Sequence, residues 1–162
     1  MKKINFNGNN ETEIKEEKQL YAAAYNSKTL KDQEQFNAVV YKNDKKYIIV
    51  DCDDEKSLNY VNSLFKNHKL DNNVYYTKSI SNIKKINKFK YHFYFNNNLN
   101  LQSNKIKINS SNLDILVNSL VFEHYKQYKS IDFDDLPEMS SDIYIELLKY
   151  NSSSVEPVLE KN

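Results

Sequence analysis

The chain contains no arginine and a single glycine, Gly8, among its 162 residues. A loop that cradles phosphate on backbone amides needs several glycines, because the main chain must approach the ligand closely. Gly8 lies alone in the polar stretch MKKINFNGNN, so P-loop and dinucleotide-binding chemistry are excluded. One cysteine, Cys52, rules out an intrachain disulfide framework and any multi-thiolate zinc site. The three histidines are too scattered for a zinc finger. No apolar run approaches the roughly 18 residues that a membrane span needs. The first residues carry charge but no apolar stretch of signal-peptide type. The expectation is a soluble, intracellular protein of a reducing compartment, with no membrane partner.

The length suits one domain with a real core and is short for two. All 23 basic residues are lysine, they face 22 acids, and the net charge of +1 names no partner. The 24 asparagines, with abundant Lys, Ile and Tyr, point to an AT-rich coding sequence. Much of the apolar content is carried by 13 Tyr and 8 Phe. The near-neutral total hides an asymmetry. Between Asp71 and Asp114 there is no acid but seven lysines, at 78, 84, 85, 88, 90, 105 and 107; from Asp114 onward ten acids face four lysines. A local basic stretch is the footprint that polyanion binding needs, and it is equally what a solvated lysine-rich loop looks like.

The pattern predicts a polar tail over 1–10, one domain over 11–150 and a linker or tail over 151–162. Helices are expected over Glu11–Tyr25, Leu30–Phe36, residues 55–67 and from Ser140 or Ser141 to about Tyr150. The β-rich runs Asn37–Tyr41 and Lys46–Cys52 flank Lys42-Asn43-Asp44-Lys45, which reads as a hairpin turn. Further strands are expected at Val74–Thr77, Lys90–Phe95 and Lys105–Ile108. Asn112–Val117 and Leu120–Tyr125 read as a second hairpin through Asn118-Ser119. The expected class is α+β, an antiparallel or mixed sheet with helices packed on one face.

Three strand motifs carry the chemistry. In Tyr47-Ile48-Ile49-Val50-Asp51-Cys52-Asp53-Asp54 alternate side chains share a face, so Asp51 and Asp53 point one way and Cys52 points into the core. Paired carboxylates at the end of an apolar strand repel unless a cation neutralises them, and oxygen ligands suit Mg²⁺ or Mn²⁺. The competing reading has Asp53 or Asp54 capping the helix that starts at Glu55, with Asp51 a solvated strand end; spacing alone favours the cap. In Lys90-Tyr91-His92-Phe93-Tyr94-Phe95, His92 shares a face with Lys90 and Tyr94, opposite an aromatic core face. In Leu113-Asp114-Ile115-Leu116-Val117, Asp114 is an acid within an apolar strand, either an edge charge or a third ligand. Glu123-His124 is discounted as a pair, because strand neighbours point to opposite faces. The acidic run IDFDDLPE reads as a solvated loop.

The order YIIVDCD (47–53), KYHFYF (90–95) and LDILVNSLVFE (113–123) resembles the archaeo-eukaryotic primase superfamily. The likeness is to the N-terminal primase-polymerase domains of primase-helicases from large DNA viruses and related elements, over roughly residues 35–150. The resemblance implies template-directed nucleotidyl transfer in viral or mobile-element DNA replication. It makes Asp51, Asp53 and Asp114 the catalytic metal ligands for Mg²⁺ or Mn²⁺, and His92 a contact to the nucleotide phosphates. Lys90 stands where the family often has Ser and would meet a phosphate instead. Lys84, Lys85 and Lys88 would hold the triphosphate or track the backbone of a single-stranded DNA template, and Tyr94 is a candidate for base stacking. Nucleoside triphosphates, template and a helicase module are the implied partners. The alternative is a catalytically inactive nucleotide- or single-stranded-DNA-binding module of the same fold. A metal-dependent nuclease and a plain interaction domain are the remaining readings.

Overall fold

The protein is described here by a computed structural model over residues 1–78 and 90–151. Strands β2 (Ala38–Lys42) and β3 (Tyr47–Cys52) flank the expected hairpin turn, yet they do not pair with each other. β2 joins β1 (Lys2–Ile4) and β8 (Leu120–His124) in a three-stranded antiparallel sheet of order β1-β2-β8. β3 is the central strand of a five-stranded antiparallel sheet of order β4-β5-β3-β7-β6, with β4 Tyr75–Lys78, β5 Tyr91–Asn96, β6 Lys105–Lys107 and β7 Leu113–Leu116. The second expected hairpin behaves in the same way: β7 lies in the larger sheet and β8 in the smaller.

Both connections therefore carry the chain from one sheet to the other, and Asn43 ties them together. Its buried amide donates to the carbonyls of Tyr47 and Leu116, while its Oδ1 accepts from the Ser119 amide at 2.6 Å. Each switch is made without glycine. Asp44, Lys45 and Asn118 hold positive φ, as do Asn100 and Asn109 elsewhere. Short polar side chains tolerate the left-handed region better than most, so part of the asparagine content does the conformational work that glycine does in other chains.

The two sheets face each other. Ile49, Tyr94 and Leu116 of the larger sheet pack on Val39, Tyr41 and Val121 of the smaller. On the outer side of the larger sheet, Ile48, Val50, Cys52, Phe93 and Phe95 meet Leu58, Val61, Leu64 and Phe65 of α2 (Glu55–Asn67), and Ile143 and Leu147 of α4 (Ser141–Leu148). On the outer side of the smaller sheet, Ala38 and Val40 meet Ile14 of α1 (Glu11–Asn26). The class is α+β, and α2 and α4 share one face of the larger sheet as expected. The second sheet in the middle is the new element. A short helix, α3 (Tyr125–Lys129), follows β8 directly.

Three further expectations are corrected. The first ten residues are not a tail: they supply β1, and Ile4 and Phe6 are fully buried. The helix expected over Leu30–Phe36 is absent. After Lys28 turns the chain at φ 62°, this segment runs beside β1, its Gln33 and Asn37 amides donating to the carbonyls of Lys3 and Ile4. The acidic run is only half a solvated loop, since Ile131 and Leu136 anchor it in the inter-sheet core while its aspartates stay exposed. No helix among the described residues is long and apolar enough to cross a membrane.

Candidate metal centre

Antiparallel pairing places directly opposed residues on the same face of a sheet. In the larger sheet one such row crosses all five strands: Thr77, His92, Asp51, Asp114 and Lys107. The next row, Tyr75, Tyr94, Ile49 and Leu116, is the floor of the inter-sheet core and ends on the exposed Lys105. The polar row thus lies where the gap between the sheets opens to solvent. Asp53, two residues beyond Asp51 on the same side, extends it outward.

Asp51, Asp53 and Asp114 each offer a carboxylate oxygen within 4.8 Å of the others. The register explains why: β3 is central, so Asp51 is flanked by His92 on one side and Asp114 on the other. The capping role falls to Asp54, whose Oδ1 accepts from the Ser57 amide at 2.8 Å in a capping box. Helix capping and the acidic cluster are therefore served by different aspartates of the same run, which leaves Asp53 free for the site.

His92 is held from both sides. Its Nδ1 lies 2.7 Å from Oε1 of Glu123, which is completely buried, and its Nε2 lies 3.2 Å from Asp51 Oδ1. The second carboxylate oxygen of Glu123 accepts from the Thr77 hydroxyl at 2.7 Å. Burial works against charge on His92, but Glu123 and Asp51 outweigh it and raise its pKa well above the usual imidazole value. Burial also opposes charge on Asp51, which His92, a proton shared with Asp53 and Lys18 nevertheless hold below the ordinary carboxylate range. Asp53 carries the consequence: burial and repulsion from Asp51 push it up to about 7. Asp114 is raised by burial and by Asp51, against the pull of Lys105, whose Nζ is 3.5 Å from its Oδ2.

A cavity of about 410 Å³ opens over this cluster, lined by Lys18, Asp51, Asp53, Lys90, His92 and Lys105 together with the β8 segment. Lys18 reaches it from α1, and burial together with Lys90 lowers its pKa. Asp51 Oδ1 faces His92 Nε2 alone, and Asp114 Oδ1 is buried without a hydrogen-bond donor among the described residues. An orphaned carboxylate oxygen beside two further carboxylates suits a hard divalent cation with oxygen ligands, so the residues present fit Mg²⁺ or Mn²⁺.

Asp51, Asp53, His92 and Lys90 are thus brought to one cavity, and Asp114 lies beside Asp51 and Asp53. Lys84, Lys85 and Lys88 lie outside the described residues. Tyr94 is corrected: it is fully buried, because the second sheet covers the face on which exposure was expected, and it offers no ring for stacking. Glu123, Thr77 and Lys18 are additions. Glu123 carries the same signal that marks Asp114, an acid inside an apolar strand. No local pattern marks Lys18, which arrives through the packing of α1.

No family model, curated protein or solved structure matches this chain. The site speaks through its own chemistry.

Proposed function

We propose that the protein is a divalent-metal-dependent nucleotidyl transferase of the primase-polymerase type, acting on nucleoside triphosphates and a single-stranded DNA template. The observation that carries this reading is the trio Asp51, Asp53 and Asp114, with the Asp114 Oδ1 orphaned, beside an open cavity edged by lysines. The motif order that resembles primase-polymerase domains narrows metal-assisted phosphoryl chemistry to nucleotidyl transfer.

In this reading the three carboxylates hold Mg²⁺ or Mn²⁺, which when bound supplies acidification of the attacking hydroxyl and charge for the leaving pyrophosphate. Lys18, Lys90 and Lys105 supply positive potential for the phosphates of a nucleotide entering the cavity. As lysines they act as point charges and not as bidentate forks. Asp53 must release its proton before it can serve as a ligand. His92 holds Asp51 in place from the side away from Asp114.

A second reading, a nucleotide- or single-stranded-DNA-binding module without turnover, is favoured by His92 itself. Both ring nitrogens already face carboxylates, so a phosphate contact would require Nε2 to leave Asp51.

The experiment is calorimetric titration of Mn²⁺ and a nucleoside triphosphate into the wild type and an Asp51→Asn/Asp114→Asn variant, followed by primer synthesis on single-stranded DNA. Metal-dependent nucleotide binding that is lost in the variant, with template-dependent products, supports the transferase. Binding without products supports the module. Equal or absent binding in both proteins overturns the metal site.

A further inference from the structure

The five-stranded sheet carries the carboxylate cluster, but the residue that orients its histidine comes from the other sheet. Glu123 lies on the inner face of β8 with no exposed surface. It spends both carboxylate oxygens on the larger sheet, Oε1 on His92 Nδ1 and Oε2 on the Thr77 hydroxyl, each at 2.7 Å. The Thr77 hydroxyl donates to Oε2 and so pins the Glu123 carboxylate with its other oxygen towards His92. His92 then has one ring orientation, with Nδ1 towards Glu123 and Nε2 towards Asp51.

We propose that Glu123, clamped by Thr77, is a positioning residue for the metal centre: it sets the ring orientation and the Nδ1–H of His92 and, through His92, the placement of the Asp51 carboxylate. The inference rests on the metal-site reading above and adds to it a residue of β8, reaching across the inter-sheet gap. A carboxylate buried only to join two sheets would be an expensive device, since burying ions without full compensation is unfavourable and apolar packing serves as well. Val121, its neighbour on the same face, already joins the sheets by such packing. Partners that touch a ligand tune a metal site by orienting it; here His92 touches Asp51, its Nε2 3.2 Å from Oδ1, and Glu123 holds His92.

The test compares wild type with Glu123→Gln, which keeps the shape and removes the charge, and Thr77→Val, which removes the clamp and keeps the volume. Two measurements are made on each. Long-range proton–nitrogen NMR reads the two ring nitrogens of His92, assigned among three histidines with a His92→Asn control. Mn²⁺ calorimetry then reads the site. The expected result is a protonated, hydrogen-bonded Nδ1 in wild type and mixed ring states in both variants. The Mn²⁺ affinity of Glu123→Gln should fall by about 10–100-fold, and that of Thr77→Val by less. Unchanged ring nitrogens and superimposable isotherms in Thr77→Val, which does not depend on Glu123→Gln folding, would overturn the proposal. If wild type itself takes no Mn²⁺, the metal reading fails, and the NMR comparison alone decides whether Glu123 positions His92.

Discussion

The hydroxyl of Tyr41 on β2 meets that of Tyr94 on β5 at 2.7 Å, buried between the two sheets. Each hydroxyl is the other's hydrogen-bond partner in an otherwise aromatic layer with Tyr47, Tyr128 and Phe133. Deleting the Tyr41 hydroxyl leaves that of Tyr94 unsatisfied, which costs about 1–3 kcal/mol, whereas deleting both costs much less than the sum. Tyr41→Phe should therefore destabilise the protein by roughly 1–2 kcal/mol. Tyr41→Phe/Tyr94→Phe should recover part of that loss. Denaturant unfolding of the two single variants and the double variant gives the cycle.

The proton on Asp53 predicts how metal binding depends on pH. Its folded-state pKa is raised from 3.8 to about 7, so below 7 a cation must displace a proton. Apparent Mn²⁺ affinity should rise with pH up to about 7, by up to about tenfold per unit, and flatten above it. Proton release measured in buffers of different ionisation enthalpy should approach one per site at pH 6 and fall towards zero at pH 8. Asp53→Asn should bind weakly with no such slope.

The same shift fixes the sign of the stability profile. A carboxyl with a raised folded-state pKa makes the folded chain bind more protons than the unfolded one. The contribution of Asp53 to stability is thus present at low pH and is lost as pH rises between 3.8 and about 7. Asp114 is shifted in the same direction. Metal-free Asp114→Asn should melt on the order of a few degrees higher than wild type at pH 8, yet lack the Mn²⁺-induced rise in Tm expected of wild type. A lower melting temperature for the metal-free variant would contradict the assignment of Asp114 to a repulsive cluster.

Asp54 separates capping from chemistry. Asp54→Ala removes the side-chain acceptor for the Ser57 amide and should cost about 1 kcal/mol of stability. Mn²⁺ affinity should stay within about twofold of wild type, because Asp54 is outside the carboxylate trio. Thermal unfolding and calorimetry on the same sample check both halves.

Much of this was legible in the chain. Alternation put Asp51 and Asp53 on one face and Cys52 in the core, and helical spacing placed α2 over residues 55–67. The apolar strands around His92 and Asp114 were visible for the same reason: a period of two is a local property of the backbone. That these three strands lie side by side is not a local property, and the pairing of Asp51 with both His92 and Asp114 is a property of register alone.

The sequence by itself determined the class of the fold, the faces of its strands and the acids and histidine available for chemistry. Tertiary structure decided which strands pair. Four residues between β2 and β3 look like a hairpin, but both strands are apolar on two faces, and each is better covered in a different sheet. That choice buries Tyr94, brings Lys18 over the carboxylates and places Glu123 behind His92. Those contacts join residues distant in sequence, for which no local spacing exists to be read.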